Sequence, residues 1–291
     1  MASEATLGSH SEISPPLRGR REVIYRHSVV VRITHWVNVL VLSLLLMSGL
    51  NIFNAHAELY WGKFGANFDP SWLAIGSAHT AAGGQIGILR VFGLTFDTTG
   101  VLGVSTGPHG ASLHQGFPAW STLPSWRDLA TARRWHFFLA WIFVANGLIY
   151  LLMGLVNGHL RRDLAPTPAD LSPANIGRSI LDHIRLKHPT GEAAKRYNVL
   201  QKLAYVAVAL VLLPLMVMTG LAMSPGFDAI APWVLDLLGG RQSARSIHFI
   251  CANLIVLFVI VHVVEVFLAG VVNEIGSMIT GRYTLPRDRH S

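Results

Sequence analysis

The stretch IHFICANLIVLFVIVHVV, residues 247–264, is apolar on all sides except at His248, Asn253 and His262. The two histidines are 14 residues apart, and at about 100° per residue of α-helix they leave nearly the same face. Their separation along the axis is about 21 Å, which fits two sites at different depths of a bilayer with a hydrocarbon core about 30 Å thick. Because ionisable side chains are costly at membrane depth, the pair predicts a functional site. The alternative is two structural histidines that hydrogen-bond to neighbouring backbone.

The composition is that of a membrane protein. The chain has 291 residues, of which 51% are hydrophobic and 13% charged, whereas a soluble domain has about 25% charged residues. Four stretches are long enough to cross a bilayer as helices. The single cysteine, Cys251, excludes an internal disulfide and a Cys-x-x-Cys-His haem attachment site. The four stretches are residues 33–53, 135–156, 203–223 and 247–272.

The segments outside these stretches differ in character. Residues 1–22 are polar and Arg-rich with no apolar core, which predicts a disordered cytoplasmic tail and no cleavable signal peptide. Residues 54–134 are rich in Gly, Trp, Pro and His, and we interpret them as a folded cap on the membrane surface, with short helical or hairpin pieces around 72–80 and 87–92. Residues 157–202 form a basic connection. Four histidines of the cap match no metal-binding spacing and are expected to be surface or structural residues: His56, His79, His109 and His114.

The positions of the charges predict the orientation. The net charge of +7 could suggest nucleic acid, but the charged residues flank the apolar stretches. Most of the 23 Lys and Arg residues lie before the first stretch, in residues 157–202 and in the C-terminal tail. The positive-inside rule then places both termini in the cytoplasm and the long cap on the periplasmic face of a bacterial inner membrane.

This topology pairs four histidines by depth. His35, at the start of the first helix, and His262 fall near the cytoplasmic face, whereas His136, at the start of the second helix, and His248 fall near the periplasmic face. Each pair comes from two helices, as a flat macrocycle held between helices requires. Two imidazoles fill both axial positions of a haem iron, which favours electron transfer over oxygen binding. Zinc would require three or four ligands at one depth. We therefore predict an all-α membrane protein, a bundle of four transmembrane helices that binds two haems b.

Further residues are candidates for supporting roles. Arg32 on the inner side, and Arg133 and Arg134 on the outer side, are placed to bind haem propionates or, alternatively, to anchor the helices at the interface. Glu265, one turn past His262, is a candidate proton relay to a quinone or a snorkelling interface residue.

Two glycines and one proline are expected to affect the local geometry of the predicted helices. Gly49 lies 14 residues after His35, and Gly154 lies 18 residues after His136, each on nearly the same face as its histidine. Such glycines leave room for a bulky group or serve helix packing. Pro214 is expected to kink the third helix.

Several motifs resemble one known family. They are RITHW (residues 32–36), RWH (134–136), YNVLQKLAY (197–205) and the two histidines of the last stretch. The chain resembles the bacterial cytochrome b561 and nickel-hydrogenase cytochrome b superfamily, which includes cytochrome subunits of formate dehydrogenases, thiosulfate reductase-type enzymes and membrane-bound hydrogenases. The 197–205 element is similar to the formate dehydrogenase and thiosulfate reductase side. The long cap departs from the family.

The resemblance implies roles and partners. It implies that His35, His136, His248 and His262 bind haem b, and that a periplasmic molybdopterin or nickel–iron subunit is the redox partner, with an iron–sulphur subunit in between in some assemblies. It also implies a quinone site in the membrane. Candidates at the depth of the cytoplasmic haem are His35, Asn38, Tyr197 and Glu265.

Three functions are compatible with the sequence. The first is a di-haem cytochrome b subunit that moves electrons across the inner membrane between a periplasmic redox enzyme and the quinone pool. The second is a stand-alone protein resembling superoxide:quinone oxidoreductases, for which a cap of this size is superfluous. The third is a membrane anchor whose histidines bind nothing.

Overall fold

The computed structural model describes residues 22–66, 69–81, 83–107, 110–158, 160–185 and 198–285. Apart from Glu22, the predicted tail of residues 1–22 lies outside these ranges, as do Tyr197 and His109.

Among the described residues, four helices are long and apolar enough to cross a membrane, and they contain the predicted stretches to within one residue at the end of the third. Polar caps fix where they begin. The side chain of Ser28 accepts a hydrogen bond from the Val31 amide, Asp128 accepts one from Thr131, and Asn198 forms a capping box with Gln201. The helices are α1 (Val29–Asn54), α2 (Leu129–Val156), α3 (Pro173–Ile184), α4 (Val199–Ala207), α5 (Leu213–Ala222), α6 (Pro225–Ile230), α7 (Pro232–Leu237) and α8 (Arg241–Thr280).

The third candidate span, Val199–Ala222, is irregular. It consists of α4, a π-helical turn at Val208–Leu212, and α5. Pro214 lies just after this turn and has no amide hydrogen to give to the preceding turn. The irregularity expected at Pro214 therefore takes the form of a wide turn.

The fourth candidate span bends sharply near its C-terminal end. Gly270 has φ 111° and ψ 85°, outside the helical region, within the 40 residues of α8. His35 contacts the ring of His262, while its neighbour Trp36 donates to the carbonyl of Met278, at 3.0 Å. A straight helix would separate positions 262 and 278 by about 24 Å. The chain therefore doubles back at Gly270, and residues 271–280 lie against the first turns of α1.

Both described ends of the chain meet on this side of the bundle. Strand β1 (Val23–Tyr25) pairs antiparallel with β8 (Arg282–Thr284). The guanidinium of Arg26 lies 4.4 Å from the ring centroid of Tyr283, which is buried. Asn273 in α8 donates to the backbone carbonyl of Thr284 and accepts from its amide. The ribbon is thus fixed to the last part of α8.

The connection between α1 and α2 is a β structure, so the all-α prediction holds for the candidate spans only. One antiparallel sheet has the order β2-β3-β4-β5, and β6 and β7 form a second pair. The short helical or hairpin pieces expected around residues 72–80 and 87–92 are strands β3 and β4, which form one hairpin and pair along their whole length. The strands are β2 (Glu58–Leu59), β3 (Leu73–His79), β4 (Gln85–Val91), β5 (Leu94–Asp97), β6 (Gly103–Thr106) and β7 (Ser112–Gln115).

Glycine lets the two sheets approach closely. A Cβ atom on Gly103, which has φ +77°, would collide with the carbonyl of Gly76, and one on Gly87 would collide with that of Leu102. At these two positions glycine therefore permits a close approach of neighbouring backbones. We refer to residues 55–128 as the insertion.

Buried asparagines of α1 hold the insertion on the end of the bundle. The amide of Asn54 donates to the Phe117 carbonyl and its side-chain oxygen accepts from the Phe117 amide. Asn51, only 1% exposed, donates to the carbonyls of Pro124 and Trp126 at 2.6 and 2.8 Å. The insertion is thereby anchored where α1 ends and α2 begins.

The start of α8 holds the other side of the insertion. Ser246 donates to the carbonyl of Tyr60 at 2.6 Å and accepts from the indole of Trp72 at 2.9 Å. Phe53 of α1 stacks on Phe249 of α8, with ring centroids 4.9 Å apart. Both rings join the apolar core of the insertion, which includes Leu59.

We predict that Asn51→Ala destabilises the protein. The substitution leaves two backbone carbonyls without their donor at a buried position, at a cost of about 1–3 kcal/mol for each unsatisfied group. Thermal unfolding in detergent, followed by circular dichroism, measures the effect. Asn253→Ala is the matched control, because that exposed amide donates only within its own helix, to Phe249, and its unfolding temperature should stay close to wild type. Equal unfolding temperatures for Asn51→Ala and wild type would contradict the anchoring role.

Candidate functional site

The structure brings four histidines together as two pairs. His136, near the start of α2, faces His248, near the start of α8, with ring centroids 6.3 Å apart and planes at 62°. His35, near the start of α1, faces His262 in the middle of α8, also at 6.3 Å, with planes at 70°. The first pair lies beside the insertion, and we call it the upper pair. The second lies beside the terminal ribbon, and we call it the lower pair.

The spacing within each pair indicates what can lie between the rings. An imidazole nitrogen binds a transition metal ion at about 2 Å, and the ring centroid lies about 1 Å behind that nitrogen. Two imidazoles on opposite sides of one ion therefore have centroids about 6 Å apart. A direct hydrogen bond between the rings, at about 3 Å between nitrogens, would bring the centroids to about 5 Å. The observed 6.3 Å fits a shared metal ion better than a direct hydrogen bond.

The number of donors at each level indicates the kind of metal site. Among the described residues, no group of three or more His, Cys, Asp or Glu side chains is placed to hold a metal ion. Two trans imidazoles suit an iron whose other four ligands belong to a macrocycle. The donor set and its spacing thus fit a haem at each level.

The upper pair is held by hydroxyl groups from two other elements. The Nδ1 atom of His136 lies 3.0 Å from the Ser48 hydroxyl of α1. The Nδ1 atom of His248 lies 2.9 Å from the Thr219 hydroxyl of α5. These contacts leave Nε2 of each ring as the nitrogen that can bind a metal.

Glycines lie against the upper rings. A Cβ atom on Gly49 would be 3.4 Å from Cε1 of His136, and one on Gly220 would be 3.5 Å from Cε1 of His248. Gly49 therefore contacts the ring at the far depth from His35. Gly154 differs, because a Cβ atom there would meet the side chain of Leu160. Of the two alternatives, room for a bulky group or packing, the structure shows packing for Gly154, against the turn that follows α2.

The lower pair has aromatic neighbours. The ring of His35 meets that of Trp36 edge to face at 5.5 Å, and His262 stacks on Phe258 at 5.8 Å. Within the described residues, neither histidine has a side-chain hydroxyl partner comparable to those of the upper pair.

Polar residues predicted for the lower site surround His35. Arg32 donates from Nη1 to the Ile279 carbonyl at 2.7 Å, and its buried Nε atom has no hydrogen-bond partner. The side-chain oxygen of Asn38 accepts from the buried amide of Asn146, which also donates to the Thr34 carbonyl. Asn38 is thus part of the α1–α2 contact.

The other candidate residues are placed as follows. Arg133 is exposed, with its guanidinium 5.7 Å from the Phe137 ring centroid. Arg134 is exposed and donates to Thr131 at 3.5 Å. These contacts are compatible with interfacial anchoring. Glu265 is half-buried on α8, three residues after His262, and Tyr197 lies outside the described residues.

The insertion covers the upper pair through Arg245, one turn before His248. Its guanidinium donates to the carbonyls of Glu58 and His56 and lies 5.5 Å from the ring centroid of Phe53. The sequence analysis did not single out this residue, because its partners are carbonyls from a distant part of the chain.

A hydrogen-bonded chain lies in the same part of the insertion. Tyr60, which is buried, donates to the carboxylate of Glu58 at 2.6 Å, and its hydroxyl lies 3.2 Å from Nε2 of His56. Burial, helped by the bond to Glu58, raises the pKa of Tyr60 from its ordinary 10.0 to about 12. The other described histidines of the insertion also have ordinary partners, Gln85 for His79 and Ser112 for His114.

Comparison with known proteins gives one family and one relative. The family model described as prokaryotic cytochrome b561 matches residues 26–281. A putative protein-methionine-sulfoxide reductase subunit YedZ1 of Azospira oryzae is 28% identical over 254 residues, which cover 85% of this chain and 93% of the relative. No solved structure gives a significant match.

We predict that Tyr60 keeps its proton to unusually high pH. Because its folded-state pKa of about 12 exceeds the ordinary 10.0, it contributes stability that is complete below pH 10 and is lost as the pH rises through 12. The tyrosinate absorbance of wild type minus Tyr60→Phe should titrate near pH 12. Glu58→Gln, which removes the charged acceptor, should lower that midpoint. A wild-type midpoint near 10 would contradict the assignment.

Proposed function

The chain belongs to the prokaryotic cytochrome b561 family, a family of membrane electron-transfer proteins whose b-type cytochrome character implies haem b, and from this premise we propose that it is a di-haem subunit passing electrons between the quinone pool and a partner redox enzyme. The observation that carries the proposal is the equal 6.3 Å spacing of two histidine pairs. Each level supplies two imidazoles and no third protein donor among the described residues.

In the proposed assignment, His136 and His248 bind one haem iron, and His35 and His262 bind the other. When bound, each haem would supply one-electron redox chemistry. Because each level offers two imidazoles, the residues favour a haem that transfers electrons over one that binds oxygen. The apolar faces of the surrounding helices would keep water away from both sites.

Helix α8 sets the distance between the two sites. It supplies His248 to the upper pair and His262 to the lower pair, and it remains helical between them. Fourteen residues of α-helix span about 21 Å, so the two haems occupy the two halves of the bilayer. Electrons can then cross most of the hydrocarbon region within one protein.

Arg32 is the strongest candidate for a haem propionate ligand. Its buried Nε atom is a donor without a partner, one turn before His35, and a carboxylate would satisfy it. For Arg133 and Arg134 the exposed positions support anchoring at the membrane interface as much as propionate binding.

We place the quinone site at the depth of the lower pair. Glu265 lies one turn beyond His262 and can carry a proton to or from the quinone ring. Asn38 and Tyr197 remain candidates at the same depth. The bond from Asn146 to Asn38 supports an indirect role for Asn38, in which it fixes α1 against α2.

The insertion is proposed to face the periplasm and to receive the partner enzyme. The basic connection of residues 157–202 and both chain ends would then be cytoplasmic, in keeping with the positive-inside rule. The A. oryzae relative is described as a reductase subunit, which supports a separate catalytic subunit here. That this subunit is of molybdopterin or nickel–iron type, with or without an iron–sulphur subunit, remains a proposal from the resemblance of the sequence. The anchoring of the insertion beside the upper pair gives such a partner a short path to that haem.

We predict that each ligand is required for one haem. His136→Ala and His35→Ala should each lower the haem content from two per chain to one, because a haem held by a single imidazole is lost from the membrane site. The pyridine haemochrome assay on purified protein gives the count, and a reduced-minus-oxidised spectrum identifies the haem that remains. His79→Ala, which changes a histidine of the insertion bonded to Gln85, should retain two haems. A full haem complement in either ligand variant would overturn the proposal.

We predict that Glu265→Gln slows quinone turnover several-fold and leaves both haem spectra intact, because it removes a proton carrier without touching an iron ligand. Quinone-dependent haem oxidation or reduction in proteoliposomes measures the effect. Asp236→Asn, which changes an exposed carboxylate paired with Lys63, is the control. Unchanged turnover in Glu265→Gln would remove this role.

A further inference from the structure

Two buried hydroxyl groups hold the upper histidines in the same way. Ser48 on α1 and Thr219 on α5 are both 0% exposed. Each lies within 3.0 Å of the Nδ1 atom of a histidine on a different helix. Each is followed by a glycine that lies against the same imidazole. The same serine- or threonine-glycine dipeptide thus serves both rings from two unrelated parts of the chain.

The backbone determines the direction of these hydrogen bonds. The Ser48 hydroxyl donates to the carbonyl of Leu44 at 2.8 Å, and the Thr219 hydroxyl donates to that of Leu215 at 2.7 Å. A hydroxyl has one proton, and in each case it is used within the helix. The oxygen therefore accepts from the ring, so that Nδ1 carries a proton and Nε2 keeps its lone pair.

The adjacent glycines lie beside the same rings. A Cβ atom at position 49 or 220 would stand at van der Waals distance from Cε1, so the absence of a side chain leaves space at that edge of each ring. The ring is held at Nδ1 by the hydroxyl. Rotation about the bond that joins the ring to Cβ would break this contact, so each Nε2 is fixed in direction.

We infer that Ser48 and Thr219 are positioning residues that fix the tautomer and orientation of the upper histidines and lower the midpoint potential of the upper haem relative to the lower one. The inference rests on the proposed function. An imidazole that donates from its far nitrogen is a better electron donor to the metal, which stabilises ferric over ferrous iron. Hydrogen bonding of this kind is one of the means by which proteins set haem potentials.

The lower pair provides the contrast. In the described part of the chain, His35 and His262 contact aromatic rings and lack a hydroxyl partner of this type. Each haem would be bound by two histidines, and the two haems would differ in the hydrogen-bond partners of those histidines. The upper haem would then be the one whose potential responds to Ser48 and Thr219.

Redox titration of the purified holoprotein in detergent, with the two haems resolved by their α bands and by electron paramagnetic resonance, tests the inference. Thr219→Val removes the hydroxyl at nearly constant shape, and Ser48→Ala removes the other. Each should retain two haems and shift one midpoint potential upward while the other stays at its wild-type value. Thr219→Ser keeps the hydroxyl and should restore the wild-type potential, which a loss of packing alone would not do.

Each possible result either supports or overturns the inference about Ser48 and Thr219. Two retained haems with both potentials unchanged in Thr219→Val and Ser48→Ala would overturn the inference. If those variants fail to fold, Ser48→Cys, with a weaker acceptor of similar size, should give a smaller upward shift, and an unchanged potential there would equally overturn it. Wild-type protein that binds fewer than two haems would instead contradict the proposed function, before any variant is compared.

Discussion

An imidazole at membrane depth must find its hydrogen-bond partners and ligands inside the protein, because the bilayer offers none. The site follows from this constraint. At the upper level the protein satisfies one nitrogen of each ring with a hydroxyl, and the other nitrogen requires a ligand of a different kind. The 6.3 Å between ring centroids is the spacing that a shared metal ion gives.

The two levels are built from different surroundings. The upper pair is enclosed by the insertion, whose backbone carbonyls bind Arg245 and whose aromatic core includes Phe249, the residue next to His248. The lower pair is enclosed by the end of the chain itself, since α8 turns back at Gly270 and offers its last carbonyls to Arg32 and Trp36. The two histidine pairs therefore differ in their surroundings although the paired residues are of the same type.

Much of this architecture could be predicted from the sequence, because it depends on periodicity. The candidate spans follow from runs of apolar residues, and the adjacency of the four histidines follows from helix direction and a spacing of 14 residues. Contacts between distant segments could not be predicted. Ser48 and Thr219 look like ordinary helical hydroxyls that bond to their own backbone, and only the packing of neighbouring helices brings a ring to them. The β structure of the insertion could be predicted only in part, because its glycines interrupt the alternation of apolar and polar residues that is typical of strands. Gly270 gave no signal of a reversal, since glycine is common in membrane helices.

The pairing of β1 with β8 has a consequence for how the chain is arranged about a membrane. An even number of crossings returns a polypeptide to the side on which it started, and the ribbon joins the first and last described strands, so both must share one aqueous compartment. The insertion then lies on the other side together with α6 and α7, to which the ion pair between Lys63 and Asp236 joins it. A soluble reagent or protein that approaches from one side therefore meets the insertion with α6 and α7, whereas one from the opposite side meets the joined ends of the chain and the connection that contains α3. This division holds for either orientation of the bundle.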